Sequence, residues 1–244
     1  MLGTMINVLT APGETFETIV KDFNWRQALF PILLLAVINI ISGTIMKEQV
    51  NEIKFEQASS WINNSNQMTD EQKDETITSI KKSMNKDLGI LGILFVGDSI
   101  PPFFSSFLQW PIRIVFFTLF AMLVGNLFLG GGGTYGRMFT LTTFAYMPSV
   151  VEYIIKTPIQ YISDNIMIYT GLGVLGVGEQ GEFLNSFLAG IDVFAFWRVY
   201  LVAVGMSILY NKSTKYTLSA VTGLWIFGIV VFAGMGAAAA GIFG

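Results

Sequence analysis

The stretch 218–243, LSAVTGLWIFGIVVFAGMGAAAAGIF, runs for 26 residues without one charged side chain. Wound as an α-helix at 1.5 Å per residue it would measure about 39 Å, more than the roughly 30 Å of a bilayer's hydrocarbon. No side of such a helix has a use for water, so the solvent of this chain is lipid. Within the stretch, Ala233, Ala237 and Gly241 recur every fourth residue with Gly234 and Ala238 beside them, a pattern that lets another backbone approach closely. A helix of the same chain is the first candidate for that approach; a second copy or another membrane protein is the alternative.

Four further apolar runs precede it, at 28–46, 111–129, 138–155 and 190–209. Of the 244 residues 52% are hydrophobic and only 13% charged, and the mean hydropathy of +0.59 would leave a water-soluble domain short of polar surface. The expected fold is therefore all-α: a membrane bundle of five transmembrane helices with interfacial helices and an extramembrane helical loop. Neither cysteine nor histidine occurs, which removes disulfides, thiolate nucleophiles, imidazole bases and most transition-metal sites. A net charge of −3 without a basic cluster argues against nucleic acid. No basic segment leads into the first apolar run, so a cleaved signal peptide is not expected.

Residues 1–27 read as a polar lead on the cytoplasmic side. Thr10 is placed to cap a helix with Pro12 early in it, and Phe16, Ile19, Val20 and Phe23 follow at helical spacing. That helix is expected on the membrane surface, with packing against the bundle as the alternative. The region 28–244 forms the five-span domain, and 47–108 within it is an outer excursion. From 47 to 87 lysines and acids dominate, and Thr69-Asp70-Glu71-Gln72 has the form of a capping box before a helix with a thin apolar stripe. The run 88–108 is broken by Gly97-Asp98 and Pro101-Pro102 and should be interfacial or re-entrant. Pro111 suits the first turn of the second span, Pro148 should kink the third, and 157–183 reads as a connection punctuated by proline and glycine.

Orientation follows from the basic residues at the span ends. Lys21, Arg26, Arg137, Lys212 and Lys215 share one side if there are five spans, which puts the amino terminus in the cytoplasm and the carboxy terminus outside. Charges within spans are costly, about 2.5 to 3.5 kcal/mol each on insertion scales, and point to function or to tight pairing. They are Arg113, Glu152, Asp192 and Arg198, with Lys156 one turn beyond Glu152, all at similar depth in the outer half. Glu152 and Lys156 share a helix face; Arg113 is expected to meet Glu152 or Asp192. Asp192 and Arg198 stand about 240° apart around a helix and should seek different partners. The cluster is read as ion pairs that fix helix packing, or alternatively as a polar vestibule for a solute or ion.

The glycine run 130–133 lacks the Gly-Lys-Ser/Thr of a phosphate loop and is better explained as a tight reversal between spans. No catalytic residue, cofactor or metal site is expected.

Several segments resemble a known family. Leu9-Thr10-Ala11-Pro12-Gly13-Glu14-Thr15-Phe16 ahead of Trp25, then Gly132-Gly133-Thr134-Tyr135-Gly136-Arg137 leading to Phe144-Ala145-Tyr146-Met147-Pro148, then Asp192-Val193-Phe194-Ala195-Phe196-Trp197 with Leu201 and Gly205, follow the order seen in bacterial members of the Yip1 domain family. The resemblance implies a five-span membrane protein with its amino terminus inside. It implies contacts with lipid or protein in membrane organisation or trafficking, without catalysis, and a small transporter or channel is the alternative. Eukaryotic relatives are linked to small GTPases through longer amino-terminal regions carrying an Asp-Leu-Tyr-Gly-Pro-like motif. Neither feature is read here, and no GTPase partner is expected.

Overall fold

Proline positions and polar caps decide where the helices begin. The computed structural model describes residues 1–64, 68–84, 102–178 and 182–243, and among them the regular structure is helical. Helix α1 (Leu2–Thr10) and α2 (Pro12–Lys21) are separated at Ala11, whose φ of −134° leaves the helical region. Pro12 forces that break, because the residue before a proline avoids the α conformation. Thr10 therefore ends α1 and does not cap α2. The apolar face of α2 packs inside the bundle and not on a membrane surface: Phe16 and Ile19 are buried, and the Phe16 ring lies against Gly205.

Asn24 opens a short 3-10 turn by accepting a 3.1 Å hydrogen bond from the Arg26 amide. Helix α3 (Leu29–Ile45) follows, and after Met46 the chain continues as α4 (Lys47–Asn64) and returns as α5 (Asp70–Met84). These two form an extramembrane hairpin. The capping box is present, with the Thr69 amide donating to Gln72 Oε1 at 3.0 Å and the Gln72 amide to Thr69 Oγ1 at 3.3 Å. Most of the expected interfacial run 88–108 lies outside the described residues, but its end is helical.

Helix α6 (Pro102–Phe128) starts nine residues before Pro111, which sits inside it. Pro102 takes the first helical position. In lipid the backbone loses more by leaving the helix than by omitting the one hydrogen bond that Pro111 cannot make. The third span is α7 (Tyr135–Ala145) and α8 (Pro148–Ser163), interrupted at Tyr146 and Met147 where Pro148 demands it. It extends well past 155 and runs through Pro158 until Asp164, at φ 50°, stops it. The expected loop at 157 is thus helix for two more turns. Gln160 closes the end by donating from Nε2 to the Ile166 carbonyl at 2.6 Å.

A short 3-10 turn (Leu172–Leu175) and α9 (Phe183–Ala189) lead to α10 (Val193–Leu209), and a turn at Asn211 enters α11 (Thr214–Phe243). Helix α10 starts at 193 because Asp192 caps it, accepting from the Ala195 amide at 2.7 Å. It is the axle of the bundle. Leu201, Val202, Ala203, Val204, Gly205, Met206 and Ser207 are buried in succession, so every face of its second half meets protein, as do those of α7 from Thr140 to Ala145, while Val193, Phe196 and Tyr200 in the first half of α10 stay exposed.

Helices α3, α6 and α11 surround that pair with apolar side chains outward. Leu29, Leu33, Val37, Ile41 and Ile45 form an exposed line at every fourth residue of α3, and Phe227, Val231 and Phe232 are exposed on α11. Apolar exposure on this scale fits a lipid surround. Trp25–Ile45, Phe107–Phe128, Tyr135–Ser163 and Thr214–Ala238 are long and apolar enough to cross a membrane, while Val193–Leu209 is shorter. Its second half, enclosed by protein, need not match the lipid. Four to five helices can thus span.

The turns gather at one end. Tyr216 donates to the Phe128 carbonyl at 3.0 Å, Lys212 lies near Gly130, and the Phe23 ring touches Gly136 with Arg137 above it. The basic residues Arg137, Lys212 and Lys215 therefore share that end with the segment carrying Lys21 and Arg26, as their spacing predicts.

Candidate functional site

Helix α8 is amphipathic in an inverted sense. Ser149, Glu152, Tyr153, Lys156, Thr157 and Gln160 recur at three- and four-residue steps and face the protein, whereas Ile154, Ile155, Ile159 and Ile162 are exposed. A helix in water would turn the other way. The isoleucines screen the polar face from lipid, and the partners for that face come from α10, α3 and α6.

Two carboxylates and two cations form a continuous chain there. Arg198 Nη1 donates to Ser149 Oγ at 3.0 Å and to Glu152 Oε2 at 2.6 Å. The other Glu152 oxygen lies 2.6 Å from Lys156 Nζ, which also meets Asp192 Oδ2 at 2.9 Å. Asp192 Oδ2 accepts from Thr170 Oγ1 at 3.0 Å, and Oδ1 is the cap of α10. Each charge thus has an opposite charge and further hydrogen bonds, which offsets the cost of placing it in a span. Arg198 also stands over the Tyr146 ring and Lys156 over the Phe194 ring. The loop is pinned from its backbone side too: the Leu172 amide donates to the Ile191 carbonyl at 2.9 Å, and Gly171 lies so close to Ile191 and Asp192 that a side chain would overlap them.

Glu152, Lys156, Asp192 and Arg198, four of the five side chains of the expected cluster, are therefore brought together. Both Asp192 and Arg198 reach α8, because Asp192 is extended ahead of the helix and the expected 240° separation does not apply to it. Arg113 does not join them. Its guanidinium lies 5.6 Å over the Trp110 ring, and among the described residues it forms no ion pair; Glu152 and Asp192 are already engaged by cations closer at hand.

A second polar group continues the seam. Tyr153 donates to Asn39 Oδ1 at 2.8 Å, Asn39 Nδ2 donates to Gln109 Oε1 at 3.2 Å, and the hydroxyls of Ser42 and Thr157 are 2.7 Å apart. Ser149, Tyr153, Thr157 and Thr170 are members of the seam that the sequence reading does not find. The helical repeat of polar residues from 149 to 160 was the available signal. Ala233 is buried and Ala237 half-buried on α11, whose carboxy-terminal half packs on α9 within the chain, with Ile229 against Gly190. The surroundings of Gly241 lie outside the described residues. No group of three or more metal-ligating side chains occurs among the described residues.

A family model, the Yip1 domain, matches residues 6–235, a range that takes in the glycine turn, the broken third span and the aspartate cap. The chain belongs to the Yip1 domain family. This Yip1 protein is similar to the membrane protein YknW of Bacillus subtilis (strain 168), with 22% identity over 231 residues, covering 93% of this chain and 87% of that one. No solved structure matches it. In the Yip1 protein described here, the segment 132–137 is the turn into α7, 144–148 is the break between α7 and α8, and 192–197 is the capped start of α10.

Proposed function

We propose that this Yip1-family protein is a non-catalytic component of the cell membrane that works through lipid and protein contacts in membrane organisation or trafficking. Its amino terminus lies in the cytoplasm and its carboxy terminus outside. One observation carries the reading: every charge of the seam ends on another group of the same chain, so the seam is a clamp between α8, α10 and the 164–192 connection, with no charge left to receive a solute. The polar side chains of the seam are engaged helix to helix as well, with Tyr153 bound to Asn39 and Ser42 to Thr157. A transporter needs a hydrated path through the membrane middle.

The alternative is a small-solute or ion transporter that opens the seam, favoured by the number of polar side chains along α8. The lack of natural cysteine gives a direct test. Single cysteines placed along α6 and α10 are treated with an impermeant thiol reagent. Labelling confined to the helix ends is expected; a continuous labelled face from Arg113 to Asn126 would overturn the clamp in favour of transport.

A further inference from the structure

Arg113 is a cation within a span that the seam does not use. It sits in the apolar helix Phe107–Phe128, six residues and about 9 Å inside the end nearest the hairpin. Its neighbours on the helix surface, Leu108, Ile112 and Phe116, are exposed and apolar, and Phe116 is 58% exposed. The side chain is itself exposed, makes no ion pair among the described residues, and stands over the Trp110 ring, which itself is buried. A guanidinium in a hydrocarbon-facing position is costly unless it reaches an anion, and its long stem lets it rise toward the headgroups.

Gln109 is one turn nearer the membrane boundary and shares that face. Its Oε1 accepts from Asn39 Nδ2, and its Nε2 has no partner among the described residues. The two side chains offer a forked cation and an amide donor one above the other. A phosphodiester, with several acceptor oxygens and one negative charge, matches that set.

We infer that Arg113 and Gln109 hold the phosphate of a bilayer phospholipid on the outer face of α6, in the leaflet at the hairpin end. A lipid is favoured over a second copy of the chain because the described acids at this depth, Glu152 and Asp192, are already bound to Arg198 and Lys156 and cannot supply the counter-charge. It is favoured over a soluble anion because the surrounding face is apolar. The inference names a lipid contact for the function proposed above, and it is tested without reference to water access along the helices.

The full chain, purified in detergent and stripped of lipid, is titrated with phosphatidylglycerol and the bound lipid counted by native mass spectrometry. A phosphate-free diglucosyl diacylglycerol and inorganic phosphate are titrated in parallel. Phosphatidylglycerol should be held at one tight site, the glycolipid roughly tenfold or more weakly, and inorganic phosphate should not compete at millimolar concentration. Arg113→Gln should weaken the tight site by about tenfold, and Arg113→Lys by less, while Lys215→Gln, at the opposite end, should leave it unchanged. Equal retention of the glycolipid by the unaltered chain would overturn the phosphate site, as would an Arg113→Gln protein that holds phosphatidylglycerol as tightly. Saturation by inorganic phosphate alone would overturn the lipid as its source.

Discussion

Glu152 is the residue on which the seam turns, because its two oxygens serve Arg198 and Lys156 separately. Side chains in these pairs are 13–21% exposed, between the surface case, where a pair contributes about 1 kcal/mol or less, and the buried case, where breaking one costs about 3–5. Glu152→Leu should therefore cost about 2–3 kcal/mol in detergent unfolding, since it strands Arg198 and leaves Lys156 with Asp192 alone. Removing Arg198 as well should recover at least about 1 kcal/mol of that sum, because Lys156 and Asp192 still balance each other. Additive losses in the double variant would show that the pair is not coupled. At the opposite end, Gly125 and Gly133 make room for the Tyr210 ring, which a methyl on Gly125 would overlap. Gly125→Ala should destabilise by about 1–3 kcal/mol, as overpacking does, and combination with Tyr210→Leu should relieve most of it. Unfolding midpoints that are unaffected by either change would disprove the close approach. The pairing of Glu152 with Lys156 could be read from four-residue spacing, and the cluster from matching depths. That Arg113 stands apart could not, because Glu152 has two oxygens and the sequence does not say which two cations are nearest.

Among the elements, prolines made the starts of helices legible and also misled. Pro12 and Pro148 begin helices as their fixed φ suggests, but Pro111 and Pro158 lie within them. The difference is the surroundings: Pro12 starts a helix outside the spans, and the break at Pro148 is enclosed by protein, where the Met147 and Ser149 amides find the Phe144 and Tyr146 carbonyls, whereas lipid around Pro111 and Pro158 offers no partner and the helix persists. Periodicity likewise gave the apolar face of α2 without saying what it meets. A surface helix and a packed one need the same spacing of Phe16 and Ile19, and the choice is made by the empty place beside Gly205 on a helix nearly two hundred residues on. Phe16→Ala should cost about 3–5 kcal/mol, the usual loss for a buried phenyl ring, and Leu2→Ala, on the exposed side of α1, close to nothing. A Phe16→Ala protein as stable as the parent, by the same unfolding assay, would return α2 to the membrane surface.

At the scale of the whole molecule the charge is polarised along the bundle axis. Lys21, Arg26, Arg137, Lys212 and Lys215 lie at the end where the glycine turn and the Asn211 turn meet, and the acid-rich α4–α5 hairpin projects from the other. Short basic turns are retained on the cytoplasmic side far more consistently than long loops, so the two turns should decide the orientation and the hairpin should follow them across. That orientation has a sharp consequence for a chain without cysteine. In intact cells a Ser79→Cys protein should react with an impermeant thiol reagent and a Lys215→Cys protein should react only after the membrane is opened. Both positions are exposed, Ser79 on the hairpin and Lys215 in the first turn of α11 ahead of its uncharged run, so a difference in labelling reports the compartment and not burial. Reversal of the two results would invert the protein, carrying the lipid face of Arg113 to the inner leaflet. Equal labelling of both in intact cells would mean an even number of crossings between them, and α10, the shortest of the five apolar helices, would then be the one that fails to cross.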